Sequence, residues 1–100
     1  MAKFAISLDL DTETLSTLYT TSSYQNAYSD IKSVLGKYGF SRQQGSVYFG
    51  DESVDAVKTV MAAQKLARKF AWFKPSVRDI RMLRIEDDND LMVAVNDADD

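Results

Sequence analysis

The chain of 100 residues contains no cysteine and no histidine, a single proline and four glycines. Without cysteine there is no disulfide framework, no thiol nucleophile and no thiolate-bound zinc. Without histidine the usual general base near neutral pH is missing, which removes Ser-His-Asp hydrolysis and cleavage of RNA by a pair of histidines. No apolar run approaches the roughly 20 residues of a membrane span, and the N-terminus has no long apolar core of the kind a signal peptide carries. A soluble, cytoplasmic protein is expected, with no membrane partner. A hundred residues suffice for one domain that buries about two-thirds of the surface of its unfolded chain, so no covalent or metal staple is needed.

The net charge of −3 conceals an asymmetry. Residues 1–85 hold all 12 Lys and Arg and 8 of the 15 Asp and Glu, a balance of +4, whereas residues 86–100 hold 7 acids and no base. Between Lys58 and Arg84 there are eight basic residues and one acid, Asp79. A basic body suits a polyanion, because phosphate neutralisation dominates nucleic-acid affinity. The stretch Ser76-Val77-Arg78-Asp79-Ile80-Arg81-Met82-Leu83-Arg84-Ile85-Glu86 has the Ile, Val and Leu content of a strand and three arginines besides. Guanidinium groups bind phosphate in planar, bidentate fashion, so Arg78 and Arg81, with Arg42, are candidate nucleic-acid-binding residues. A solvated edge strand laced with ion pairs would account for the same segment equally well.

Periodicity divides the chain into six elements. Lys3 to Asp11 alternates, with Phe4, Ile6, Leu8 and Leu10 on one face and Ala5, Ser7 and Asp9 on the other, a strand with one buried face. Residues 12–21 read as a loop. Ser22 with Gln25 resembles a capping box ahead of a helix that carries Ala27, Ile31, Val34, Leu35 and Tyr38 on one stripe and stops at Gly39. Phe40 to Gln43 and Ser46 to Phe49 form a hairpin around Gln44-Gly45. Asp51 or Ser53 caps a second helix whose expected stripe is Val54, Val57, Val60 or Met61, Ala67 and Phe70, and the Arg-rich strand follows. Residues 87–100 form an acidic tail in which Leu91 to Val95 is a candidate fifth strand. Within the domain 1–86 the order is β-α-β-β-α-β, the ferredoxin-like arrangement of the α+β class, with an antiparallel sheet ordered 4-1-3-2 and both helices on one face.

That topology gathers the end of the first strand and the starts of the third and fourth. Asp9, Ser46 and Asp79 are expected at one end of the sheet: Asp9 faces away from the helices, Val47 and Phe49 point to the core so that Ser46 joins it, and Ile80 and Met82 inward leave Asp79 outward. Leu83 and Ile85 then require a bulge or a second interface. The small residues Ala5 and Ser7 around Asp9 suit close approach of another sheet, so a face-to-face homodimer is expected, with a shallow ligand face on a monomer as the alternative.

Five segments in order, Phe4-Ala5-Ile6 to Asp9-Leu10, Ala27-Tyr28-Ser29-Asp30-Ile31, Lys37-Tyr38-Gly39-Phe40, Gln44-Gly45-Ser46-Val47-Tyr48 and Ser76-Val77-Arg78-Asp79-Ile80-Arg81, together resemble the virulence-associated protein D (VapD) family. That family looks like a relative of the small ferredoxin-like CRISPR-associated nuclease, and the resemblance spans roughly residues 3–90. It implies a homodimeric endoribonuclease, in some systems the toxin of a bacterial toxin–antitoxin pair with an antitoxin protein as partner. It marks Asp9 as the leading catalytic candidate, with Ser46 and Asp79 at matching motif positions. The chain departs from the pattern after Glu86, where Asp87-Asp88-Asn89-Asp90 replaces a segment that usually carries an aromatic residue.

Two carboxylates can hold a hard cation, and Asp9 is the candidate ligand for Mg²⁺. Without metal, Asp9 could take the proton of a ribose 2′-OH while Arg78 or Arg81 holds the phosphate and Ser46 donates a hydrogen bond to it. Against this stand two blander readings: the carboxylates pair with Arg78, Arg81 or Lys3 at a strand end, or the protein is a non-catalytic nucleic-acid-binding or scaffold dimer. Purified protein incubated with RNA beside an Asp9→Ala control separates them.

Overall fold

The computed structural model describes residues 3–19 and 24–98. The chain runs β1 (Lys3–Leu10), α1 (Thr12–Leu18), α2 (Asn26–Lys37), β2 (Phe40–Gln44), β3 (Val47–Gly50), α3 (Ala56–Lys69), α4 (Phe73–Ser76), β4 (Val77–Ile85) and α5 (Met92–Asn96). Its four strands are ordered β2-β3-β1-β4 and every neighbouring pair is antiparallel. This is the ferredoxin-like order expected from the sequence.

One face of β1 supplies the centre of the core. Ile6, Leu8 and Leu10 are buried with Tyr48 of β3, Ala27, Ile31, Val34 and Leu35 of α2, and Ala62 and Leu66 of α3. The α2 stripe is the one the 3.6-residue period predicts. Its capping box at Ser22 lies outside the described residues. The chain turns out of α2 at Gly39, whose φ of 93° favours a residue without Cβ.

Four local expectations are corrected. Residues 12–18 are helical rather than a loop: the Asp11 carboxylate accepts from the Glu13 and Thr14 amides and starts a helix that buries Leu15. The capping residue of α3 is Asp55, which accepts from the Lys58 amide, and Asp51 instead binds the amide and hydroxyl of Ser53. From that start the buried stripe is Thr59, Ala62 and Leu66, while Val57, Val60 and Met61 lie on the exposed side. Finally, Leu91 to Val95 is not a fifth strand: residues 92–96 form a one-turn helix with no buried residue.

Candidate active site

The strand registers decide which residues share the open face, away from α2 and α3. Ile6 is paired with Tyr48 and Met82, and Leu8 with Ile80, so the helix-side row runs through those residues. The open row holds Ala5 between Phe49 and Leu83, Ser7 between Val47 and Arg81, and Asp9 opposite Asp79. Leu83 and Ile85 therefore point to the open face, with no bulge between Asp79 and Ile85 to turn them inward. Phe49, Val47, Leu83 and Ile85 make one part of this face apolar; Ser7, Asp9, Asp79 and Arg81 make its corner polar.

Asp9 and Asp79 are thus brought together as direct cross-strand partners. Two like charges in such a pair repel, and Arg81 relieves this by placing its Nε 3.0 Å from Asp79 Oδ2. This pair is well exposed on both sides, at 70% and 48% of the side-chain surface. An exposed ion pair contributes little to stability, so the guanidinium can turn to a phosphate at small cost.

The bulge in β4 falls at the site itself. Asp9 is opposite Asp79 and Leu10 opposite Val77, leaving Arg78 as the extra residue. A bulge re-aims the side chain it carries: Arg78 Nη2 lies 3.8 Å from Asp11 Oδ1, beyond the end of β1. The Asp11 amide donates to the Ser76 carbonyl at 2.7 Å, tying the start of α1 to the entry of β4. Hydrogen bonds from the Thr14 amide and hydroxyl, with Arg78 adding a smaller share, hold the Asp11 carboxyl below its ordinary value.

Ser46 does not join the carboxylates on the open face. Tyr48, not Val47 or Phe49, is the residue of β3 that enters the core, so the phase of the strand is the reverse of the one expected. Ser46 sits in the hairpin turn, and its carbonyl accepts from the Leu8 amide at 3.1 Å, which sets it beside Leu8 on the helix-side row. Arg42 is also elsewhere: it pairs with Tyr48 across β2 and β3, and its Nε donates to the Gly45 carbonyl at 2.7 Å, bracing the turn.

Tyr28, which periodicity leaves beside the buried stripe of α2, belongs to this end of the sheet. Burial, Tyr24 and the negative charge of Asp9 together raise its phenol above the ordinary tyrosine value. It is therefore a protonated donor within electrostatic reach of Asp9. No spacing in the sequence joins Tyr28 to Asp9; only the packing of α2 against β1 does so.

Among the described residues no group of three or more His, Cys, Asp or Glu could hold a metal ion. One chain therefore offers two carboxylates on this corner of the open face, Asp9 and Asp79. Nor is the corner enclosed. A cleft of about 540 Å³ lies at the opposite end of the sheet, lined by Lys3, Phe49, Asp51, Glu52 and Asp88 among others, with five residues of β1, a span of roughly 20 Å, between Lys3 and Asp9. No helix among the described residues is long and apolar enough to cross a membrane.

No protein-family profile matches the chain, but individual proteins do. It is 44% identical over 93 residues to a protein named endoribonuclease VapD 2 from Riemerella anatipestifer, covering 93% of this chain and 99% of that one. It is 45% identical over 92 residues to an endoribonuclease VapD homolog of Helicobacter pylori, covering 92% and 95%. An endoribonuclease VapD of Dichelobacter nodosus is 38% identical over 95 residues, 95% and 99% of the two chains. Identity at this level across nearly the whole of both sequences, on a fold whose registers set the Asp of the first motif against the Asp of the last, means that the chain belongs to the VapD family.

Proposed function

We propose that the protein is an endoribonuclease, and that the polar corner of the open sheet face is where it cleaves. The observation that carries this reading is the cross-strand pair Asp9–Asp79 flanked by Arg81 and the bulged Arg78, in a chain whose relatives are named endoribonucleases. Asp9 accepts the proton of the attacking ribose 2′-hydroxyl as its oxygen bonds to phosphorus, and the bond to the departing 5′-oxygen breaks as that oxygen takes a proton from water. Arg81, released from Asp79, and Arg78 hold the phosphate and offset the charge that builds on its oxygens. In a metal-assisted route Asp9 and Asp79 would instead hold Mg²⁺, which would supply activation of the nucleophile and charge neutralisation.

The working unit in this proposal is a homodimer formed face to face through Val47, Phe49 and Leu83, which brings two copies of the open corner around one symmetry axis and encloses what one chain leaves exposed. We also place the protein in a toxin–antitoxin pair. The apolar side chains exposed on α5 and the acidic residues around them are a surface that such a partner would cover. A non-catalytic RNA-binding dimer is the second reading, favoured by the openness of the corner and by the engagement of Asp79 with Arg81.

Asp9→Asn decides between them. The change should abolish cleavage of single-stranded RNA and leave the thermal midpoint within a few degrees, because an exposed strand-end carboxylate contributes little to the core. Asp79→Asn should weaken cleavage, and Ser46→Ala, placed off this face, should leave it near the wild-type rate. Full activity in Asp9→Asn would sink the assignment, and a parallel series with EDTA reads the metal requirement.

A further inference from the structure

A cluster of aromatic rings lies where α1, α3 and α4 meet. Phe70 and Trp72 are stacked, with ring centroids 4.8 Å apart and planes inclined by 21°. Tyr19 and Phe73 meet Trp72 edge-on at 5.5 and 6.2 Å. Phe73 is buried, whereas Tyr19, Phe70 and Trp72 pack on the core while keeping part of their surface in solvent. Packing explains their inner edges. It does not explain their surroundings, for the stretch from Ala56 to Arg78 contains no acid. Lys65, Arg68, Lys69 and Lys74 are exposed there, and no carboxylate among the described residues pairs with them. Lys69 Nζ stands 5.8 Å from the Phe70 ring centroid, within the range of a cation–π contact that a phosphate can outcompete.

The cluster is also joined to the corner described above. Trp72 precedes the single turn of α4, whose last residue, Ser76, accepts from the Asp11 amide. From Trp72 to Arg78 the chain advances only roughly 13 Å along that turn and the start of β4. Half-exposed flat rings beside unpaired cations are the two components of a sequence-tolerant single-strand platform: bases stack on the rings while the backbone follows the charge.

We propose that Phe70 and Trp72, with Lys69 and Lys74, form a nucleobase-stacking subsite that holds single-stranded RNA a few nucleotides from the scissile phosphate. The proposal rests on the endoribonuclease reading and adds a substrate class to it, unpaired rather than duplex RNA. Trp72 is the only tryptophan, so its emission reports stacking directly.

The test uses the full-length protein and two strands of ten residues, a 2′-O-methyl oligonucleotide that resists cleavage and an abasic strand with the same number of phosphates. The base-bearing strand should quench Trp72 emission and bind about tenfold more tightly than the abasic one, with equal salt slopes. Phe70→Leu should reduce that advantage, and Trp72→Leu, which keeps an apolar side chain against the core, should remove it, provided circular dichroism shows the variant folded. The comparison in the wild-type protein stands without either variant. Equal affinity and equal emission with the two strands overturns the platform. RNA cleavage with unmoved Trp72 emission on binding also overturns it and leaves the nuclease reading intact. Failure to bind either strand or to cleave RNA removes both.

Discussion

At Asp11 a single carboxylate receives two amide donors of α1 and a threonine hydroxyl while facing Arg78. Its carboxyl is lowered in the folded protein relative to an unfolded chain, where it titrates near 3.8. Between these two values the unfolded state binds more protons, so stability rises with pH through this window; the contribution is complete above about pH 4 and is lost as pH falls through the folded value. Asp11→Asn, which can still accept from α1, should flatten the dependence of the thermal midpoint on pH below 4. An acid limb as steep as that of the wild type would show that Asp11 is not its source. At this scale the sheet positions of Asp9 and Asp79 are legible because strand alternation and topology suffice to place them. Ser46 is harder to place because the hairpin strand Ser46 to Phe49 alternates ambiguously: Val47, Tyr48 and Phe49 are all apolar, and only the packing of Tyr48 in the core chooses the inward residue. Tyr28 was invisible for a related reason, since its nearness to Asp9 exists only once the helix has packed.

Among the elements, β3 and the turn into α3 show how tightly the sheet end is fixed. A Cβ built on Gly50 would come within 2.7 Å of Val54 Cβ and 2.8 and 2.9 Å of its two methyls, and Val54 is itself buried. Gly50→Ala should therefore destabilise the fold by about 1–3 kcal/mol, read as a lower denaturant midpoint with an unchanged slope. A neutral result would mean that the loop carrying Val54 yields freely. α2 was legible because large aliphatic residues recur at helical spacing. α3 was not, because its inward stripe is built from Thr59, Ala62 and Leu66 while Val57, Val60 and Met61 stay exposed; hydrophobicity alone picks the wrong side when the close approach of helix to sheet calls for small residues. α5 misled for the opposite reason: five apolar residues in a row suggest a strand, but without a neighbouring edge to pair with, local helical bonds are what satisfy the backbone.

For the molecule as a whole, charge is divided between a basic folded body and a tail whose helix buries nothing. A polyanion tethered to a basic surface competes with RNA for it. Deleting residues 87–100 should tighten binding of single-stranded RNA several-fold at low salt, with the difference fading as ionic strength passes about 0.15 M. Equal affinities for full-length and truncated protein at low salt would mean that the tail does not reach the binding surface. The topology, and with it the meeting of β1 and β4, followed from element order and handedness alone. The division of charge was equally plain in composition. What composition could not say is that the described residues of the tail, 87–98, are all exposed.

That last feature bears on how the protein behaves in a column or a gel. Its isoelectric point, near 4.8, is set largely by the seven acids that follow Ile85. At neutral pH it should bind an anion exchanger and migrate as an acidic protein, although residues 1–85 carry a net positive charge. A single proteolytic cut after Glu86 would leave 12 basic and 9 acidic side chains and turn the same fold into a cation. Two species of nearly equal compactness would then part on an exchanger of either sign, and the one retained on phosphocellulose would be the one that has lost its end.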